Sequence, residues 1–151
     1  MPYLLGLHLL AAVIWVGGMF LAYTAVRPAA GSLEPAVRLG LWRRIGARFF
    51  PVVGVACVVL LGTGYAMIFE GFGGFAGAGL HIHIMQGTGL LMVALFAHLV
   101  AAPYRRLRRS LDADDIPSAG KALGQIRRIV HINLWLGLIT VVIGGTGRYW
   151  G

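Results

Sequence analysis

The sequence predicts an all-α integral membrane protein, a single four-helix bundle with both termini on the outer side. Three observations carry that expectation. Only 12% of the 151 residues are charged and 58% are hydrophobic, where a soluble domain carries about 25% charged residues. Four apolar stretches are long enough to cross a bilayer. The basic residues gather in two of the three links between them. Continuous apolar runs of this kind are helices, because lipid offers the backbone no hydrogen-bond partner and barrel strands would be shorter and alternating. The length leaves room for one membrane domain, residues 1–151.

The first span covers about residues 3–26 and stops at Arg27-Pro28. No basic residue precedes it, so it reads as a membrane helix and not as a cleaved signal. Residues 32–48 place Val37, Leu41, Ile45 and Phe49 four apart with arginines between them. That pattern predicts an amphipathic helix on the inner membrane face, feeding the second span at 49–69. A short Gly-rich outer loop, 70–79, leads to the third span at 80–102, which stops at Pro103-Tyr104-Arg105-Arg106. Residues 112–117 read as a turn, Ser118 as a helix cap, and Ala122, Ile126 and Ile129 as the approach to the fourth span at 129–149.

The formal net charge is +8, from 13 Lys+Arg against 5 Asp+Glu. In a soluble protein that balance would suggest nucleic acid. Here it reads as topology, with a lipid bilayer and no nucleic acid as partner. Twelve of the 13 basic residues lie in the first and third links, and only Arg148 lies on the other side. Positive charge stays inside. Both termini are therefore expected to be periplasmic in a bacterial-type inner membrane. Cys57 is the only cysteine and cannot form an internal disulfide.

Five histidines, His8, His81, His83, His98 and His131, lie in or at the edges of these spans. An ionisable group in a membrane helix is a functional hypothesis by default. By helix rise, His8 and His83 share the outer half, and His98 and His131 the inner half. His83 and His98 differ by about 60° in direction and about 22 Å along the axis, so one face of the third span presents a histidine to each leaflet. Two same-depth pairs suit axial ligation of haem iron. Gly87, Gly89 and Ala94 leave room for a flat macrocycle, although small residues also serve close helix packing. Arg127, Arg128 and Arg105 stand near the inner pair as propionate partners, and Arg148 near the outer one. His81 points about 160° away from His83 and is its substitute if the helix start shifts by two residues.

Copper competes with haem as the ligand. His81-Ile-His83-Ile-Met85 offers soft and borderline donors near the outer surface, and Met19, Met67 and Met92 lie in the spans. Histidines two apart diverge on a helix, so this stretch shares a metal only if the start of the third span is unwound. The membrane methionines also suit packing. No carboxylate sits mid-span, and no phosphate loop or cysteine pair is present. Hydrolysis, nucleotide chemistry and a zinc site find no support in these residues.

The stretch Gly6-Leu-His8 through Trp15-Val-Gly17-Gly18 resembles the opening helix of CopD-type membrane proteins. Arg48-Phe-Phe-Pro51 through Gly62-Thr63-Gly64, then Leu80-His81-Ile-His83, His98 and the basic run 104–109, resemble the same family. The resemblance covers most of the chain. It implies copper resistance or uptake, or the haem b of the similar HemJ-type protoporphyrinogen oxidases. HemJ-like proteins carry Lys where this chain has His83, which turns the position from a cation into an iron ligand.

The reading that unites these points is a transmembrane b-type cytochrome. It would hold one or two haem b groups by His8 with His83 and His98 with His131. As an oxidoreductase it would exchange electrons with a quinol or a small oxidant. A copper-handling protein of the CopD type is the alternative, and a haem-synthesis enzyme the third reading. Pairing of the chain with itself is left open.

Overall fold

A computed structural model describes residues 1–150. Four helices fill it: α1, Pro2–Ala30; α2, Pro35–Phe72; α3, Leu80–Asp112; and α4, Ile116–Thr146, closed by a 3-10 turn at Gly147–Tyr149. Each is long and apolar enough to cross a membrane. Every expected span is thus part of a longer helix. α1 and α3 each pass through one π turn, at Ala22–Val26 and Val100–Tyr104. Pro28 follows the first and Pro103 lies within the second. Proline removes an N–H and crowds the preceding turn, and a π turn absorbs the misfit.

The expected amphipathic segment is the first half of α2 and not a separate element. α2 has 38 residues, about 57 Å of helix against a hydrocarbon core of about 30 Å. Its inner end therefore projects beyond the apolar core or tilts. The stripe at spacing four is not the buried face. Leu39, Gly46 and Val53 are buried, with Trp42 and Phe50 packed beside them, while Val37 is half exposed. The outer end stops at Gly73 (φ +68°) and Gly74 (φ +107°), left-handed positions where a side chain would be strained. The start of α4 also differs from expectation. Asp115 is the cap, its Oδ1 accepting the Ser118 N–H at 3.0 Å, and Pro117 sits in the first turn where no N–H is needed. The Ser118 bonds hold the exposed Asp115 carboxyl below the usual carboxylate range.

α1 packs along α2 and α3 along α4; α4 also touches α1 and α2 and closes the bundle. The expected antiparallel pairing of the last two helices is present. Asn133 Nδ2 donates to the Met92 carbonyl at 3.1 Å, and the Thr88 and Thr140 hydroxyls are 2.8 Å apart. Gly137 lets Val16 and Met92 meet, since a Cβ there would lie 2.9 Å from Val16 Cγ2 and 3.1 Å from Met92 Cε. Two buried clusters follow. One, at the inner end, joins Leu39, Leu99, Tyr104, Leu107, Leu123 and Ile126. The other, in mid-bundle, joins Trp15, Met19, Val53, Cys57, Met92 and Leu134. The outward faces are apolar, with Val13, Val58 and Val142 at 67%, 72% and 61% exposure. Such faces suit a lipid solvent.

Candidate functional site

Toward the end of the bundle that carries the two termini, His8 of α1 reaches across to α2. Its Nδ1 lies 2.8 Å from Thr63 Oγ1. Thr63 has one hydroxyl hydrogen, directed at the Val59 carbonyl at 2.6 Å. Thr63 therefore accepts from His8, and the imidazole proton sits on Nδ1. Nε2 keeps its lone pair. A ring held through one nitrogen with the other free is how a ligating histidine is oriented. Gly64 lies beside the ring, where a Cβ would stand 3.4 Å from His8 Cε1, an ordinary van der Waals contact. Two more polar links tie this level together: Gln86 Nε2 to the Tyr65 hydroxyl, and Thr88 to Thr140.

The other histidines have separate neighbours. His83 is exposed, with its ring stacked on Phe75 at 6.3 Å. His81 packs over Gly147 and meets the edge of Trp150 at 6.4 Å. α3 is regular helix from Leu80, so these two rings diverge. The start of α3 is not unwound, and His81, His83 and Met85 do not form a shared site. His98 is exposed on α3. His131 lies 5.0 Å from the Tyr23 ring and 6.4 Å from Trp135, and its buried Nδ1 has no partner. Among the described residues no ring contact joins two histidines.

The expected arginine partners divide as well. Arg127 stands over the Trp42 ring at 6.0 Å, and Arg148 over Tyr149 at 4.5 Å. Arg105 and Arg128 are exposed. Arg127 borders an inner cleft lined by Trp15, Tyr23, Phe49, Phe50 and Phe96. The cleft encloses about 80 Å³, where small-molecule pockets run from about 300 Å³ upward. No histidine lines it. As packed, these residues do not fit a macrocycle in the inner half.

Sulfur is placed differently. Met19, Cys57 and Met92 come from α1, α2 and α3 into the one mid-bundle cluster, all at 6% exposure or less. Contacts across the helices give their levels. His8 faces Thr63, and Gly18 faces Phe49, so Cys57 lies near the level of Ala12. Met92 meets Val16 at Gly137. His8, Cys57, Met92 and Met19 thus descend in steps of roughly four residues, about 6 Å each. Among the described residues no group of three or more His, Cys, Asp or Glu forms a metal cluster.

Residues 43–146 match the family model described as copper resistance protein D, CopD. The chain belongs to the CopD family. No curated protein matches the chain, and no solved structure matches it. The CopD match begins inside α2 and leaves out α1, so it does not reach His8. It supports the copper alternative and lends no support to haem, iron or electron transport. Met19 and Met92 stand among the copper donors that the sequence offers beside their packing role, whereas Cys57 enters there only as a lone cysteine. Their common signal was present: sulfur in three successive spans at graded depths. Thr63 lies in the Gly62-Thr63-Gly64 stretch that carries the resemblance, but nothing in composition or spacing paired it with His8.

Proposed function

We propose that this CopD-family chain handles copper as Cu(I), holding and passing the ion along soft donors inside the bundle. The observation that carries the reading is the convergence of Met19, Cys57 and Met92 from three helices in one buried cluster below His8. Thioether and thiolate select Cu(I) over the harder divalent ions, and imidazole is compatible with it. The free His8 Nε2 is the outermost of these donors, and Thr63 holds its ring in place. A ladder with no single tight cage suits transfer, because an ion that must move on cannot be fully coordinated at one level.

The test is Cu(I) retention by the purified full chain against a chromogenic Cu(I) chelator under anaerobic conditions. Wild type is expected to retain the ion. Cys57→Ser and Met92→Leu should each weaken retention about tenfold or more, the scale of one lost donor bond. A chain that holds no Cu(I) and purifies with a haem spectrum would overturn copper in favour of the cytochrome. Histidine variants at positions 8, 83, 98 and 131 would then identify the iron ligands.

We further propose that the two basic links face the cytoplasm of an inner membrane and both termini face the periplasm. The charge asymmetry supports this reading. An alkaline phosphatase fused after Gly151 should be active, and green fluorescent protein fused there after the same export route should be dark. Bright fluorescence would reverse the arrangement and move His8 to the inner leaflet.

A further inference from the structure

Four polar groups meet at the inner end of the bundle with nothing of opposite charge among them. Arg27 ends the first span, Arg38 and Trp42 lie on the first turns of α2, and Arg127 lies on the inner part of α4. Arg127 stacks over Trp42 at 6.0 Å, and Arg27 over Tyr23 at 5.2 Å. Arg27, Trp42 and Arg127 border one cleft, and Arg38 lies one helical turn before Trp42, its Nη1 donating to the Gly31 carbonyl at 3.5 Å. The Nε atoms of Arg38 and Arg127 and the Trp42 Nε1 are buried with no hydrogen-bond partner. The only ion pair among the described residues joins Arg43 and Asp112, so Glu34, four residues before Arg38, neutralises none of them. Three like charges beside three unpartnered buried donors are costly unless an acceptor joins them.

The cleft explains what else that acceptor carries. It is bordered by Arg27, Trp42 and Arg127 at one end and runs inward between aromatic rings to Trp15 and Val53. At about 80 Å³ it admits the first methylenes of a chain and nothing as broad as a ring system. An oxyanion at the arginines with an apolar chain behind it describes one class of molecule. Basic pockets between membrane helices on the inner side are built for such headgroups.

We propose that this corner binds an anionic phospholipid of the inner leaflet. Arg27, Arg38, Arg127 and the Trp42 N–H take the phosphate, and the start of an acyl chain enters the aromatic cleft. The proposal rests on the orientation proposed above; its anion end holds no soft donor, while the far end of the cleft shares Met19 with the sulfur cluster. It also assigns a role to the first half of α2: its arginines hold a lipid between α1 and α4, which fixes that long helix at the membrane surface.

Native mass spectrometry of the purified full chain tests this, with phosphatidylglycerol and phosphatidylcholine supplied in equal amounts. One phosphatidylglycerol should survive collisional activation that strips phosphatidylcholine, with a preference of about tenfold. Arg38→Gln and Arg127→Gln should each bring retention down to the phosphatidylcholine level. Arg128→Gln, the exposed neighbour with the same loss of charge, should keep the preference. Circular dichroism on each variant confirms that the helices persist, and the wild-type preference stands as a test without any variant. Equal retention of the two lipids would overturn the proposal. So would an equal loss in Arg128→Gln, which would reduce the effect to net charge. Complete displacement of the lipid by inorganic phosphate would leave a headgroup-only anion site and overturn the role of the cleft.

Discussion

Leu107→Ala should lower stability by about 2–5 kcal/mol, the range for emptying a well-packed leucine site. Leu107 is fully buried, at 0% exposure, although Arg105, Arg106, Arg108 and Arg109 surround it in sequence. It is the only buried residue of the polar extension Arg105–Asp112, and it joins the inner cluster with Leu39, Tyr104 and Leu123. The location explains the size of the effect. Inside the bilayer, lipid tails are as apolar as leucine and helix contacts gain little from burial. The extension is rich in arginine and lies past the apolar span, the setting in which the hydrophobic effect holds an apolar side chain to a neighbouring helix. Thermal unfolding in detergent measures the loss. Val58→Ala, on a face 72% exposed, is the control and should change little. Equal midpoints for the two variants would show that the inner cluster does not hold the bundle together.

Gly46→Ala should also destabilise, by about 1–3 kcal/mol, as overpacking does in a filled core. An added Cβ would lie 2.6 Å from Tyr104 Cε2 and 2.9 Å from Phe50 Cε2. Both rings line the cleft, so making room means pushing them from contacts they already make. The Tyr104 hydroxyl donates to the Arg43 carbonyl at 2.9 Å, and the two rings meet edge-on at 4.8 Å. Gly40→Ala, six residues earlier in the same helix, meets nothing within 4 Å. It should stabilise by about 0.5–1 kcal/mol, because alanine costs less backbone entropy in a helix than glycine. Opposite signs for the two changes are the expected result, read as shifts of the unfolding midpoint. Gly46→Ala at or above the wild-type midpoint would show that Tyr104 does not sit against α2 at this level.

Gly137 differs from Gly46 in the atoms an added Cβ would meet. At Gly137 the atoms met are the Val16 methyls and the Met92 terminal methyl. The Met92 thioether end can rotate away, but the nearer Val16 Cγ2, at 2.9 Å, belongs to a stiff β-branched side chain.

How much was readable from the chain follows from the range of each force. Membrane character, four spans, an all-helical bundle and the neighbouring of α3 with α4 came from local composition, run length and a short link. These are properties of continuous segments, and lipid enforces them segment by segment. Resemblance to CopD was also readable, and the family match bears it out. The partners of particular side chains were not. Depth along a helix was estimated well enough to place His8 toward the end of the bundle that carries the two termini, but depth alone does not give azimuth. His8 turned to Thr63, His131 to Tyr23 and His83 to Phe75 because rotation about each axis is set by how neighbouring helices interlock. The buried face of α2 escaped for the same reason: Leu39, Gly46 and Val53 repeat every seven residues, and small Gly46 is buried only because Tyr104 arrives from α3. The sequence by itself determined which segments enter the membrane, through transfer energies that depend on each segment alone. Only the tertiary structure decided that Cys57 shares one buried cluster with Met19 and Met92, and that Arg27, Trp42 and Arg127 border one cleft. Those groupings depend on the packing of residues far apart in the chain.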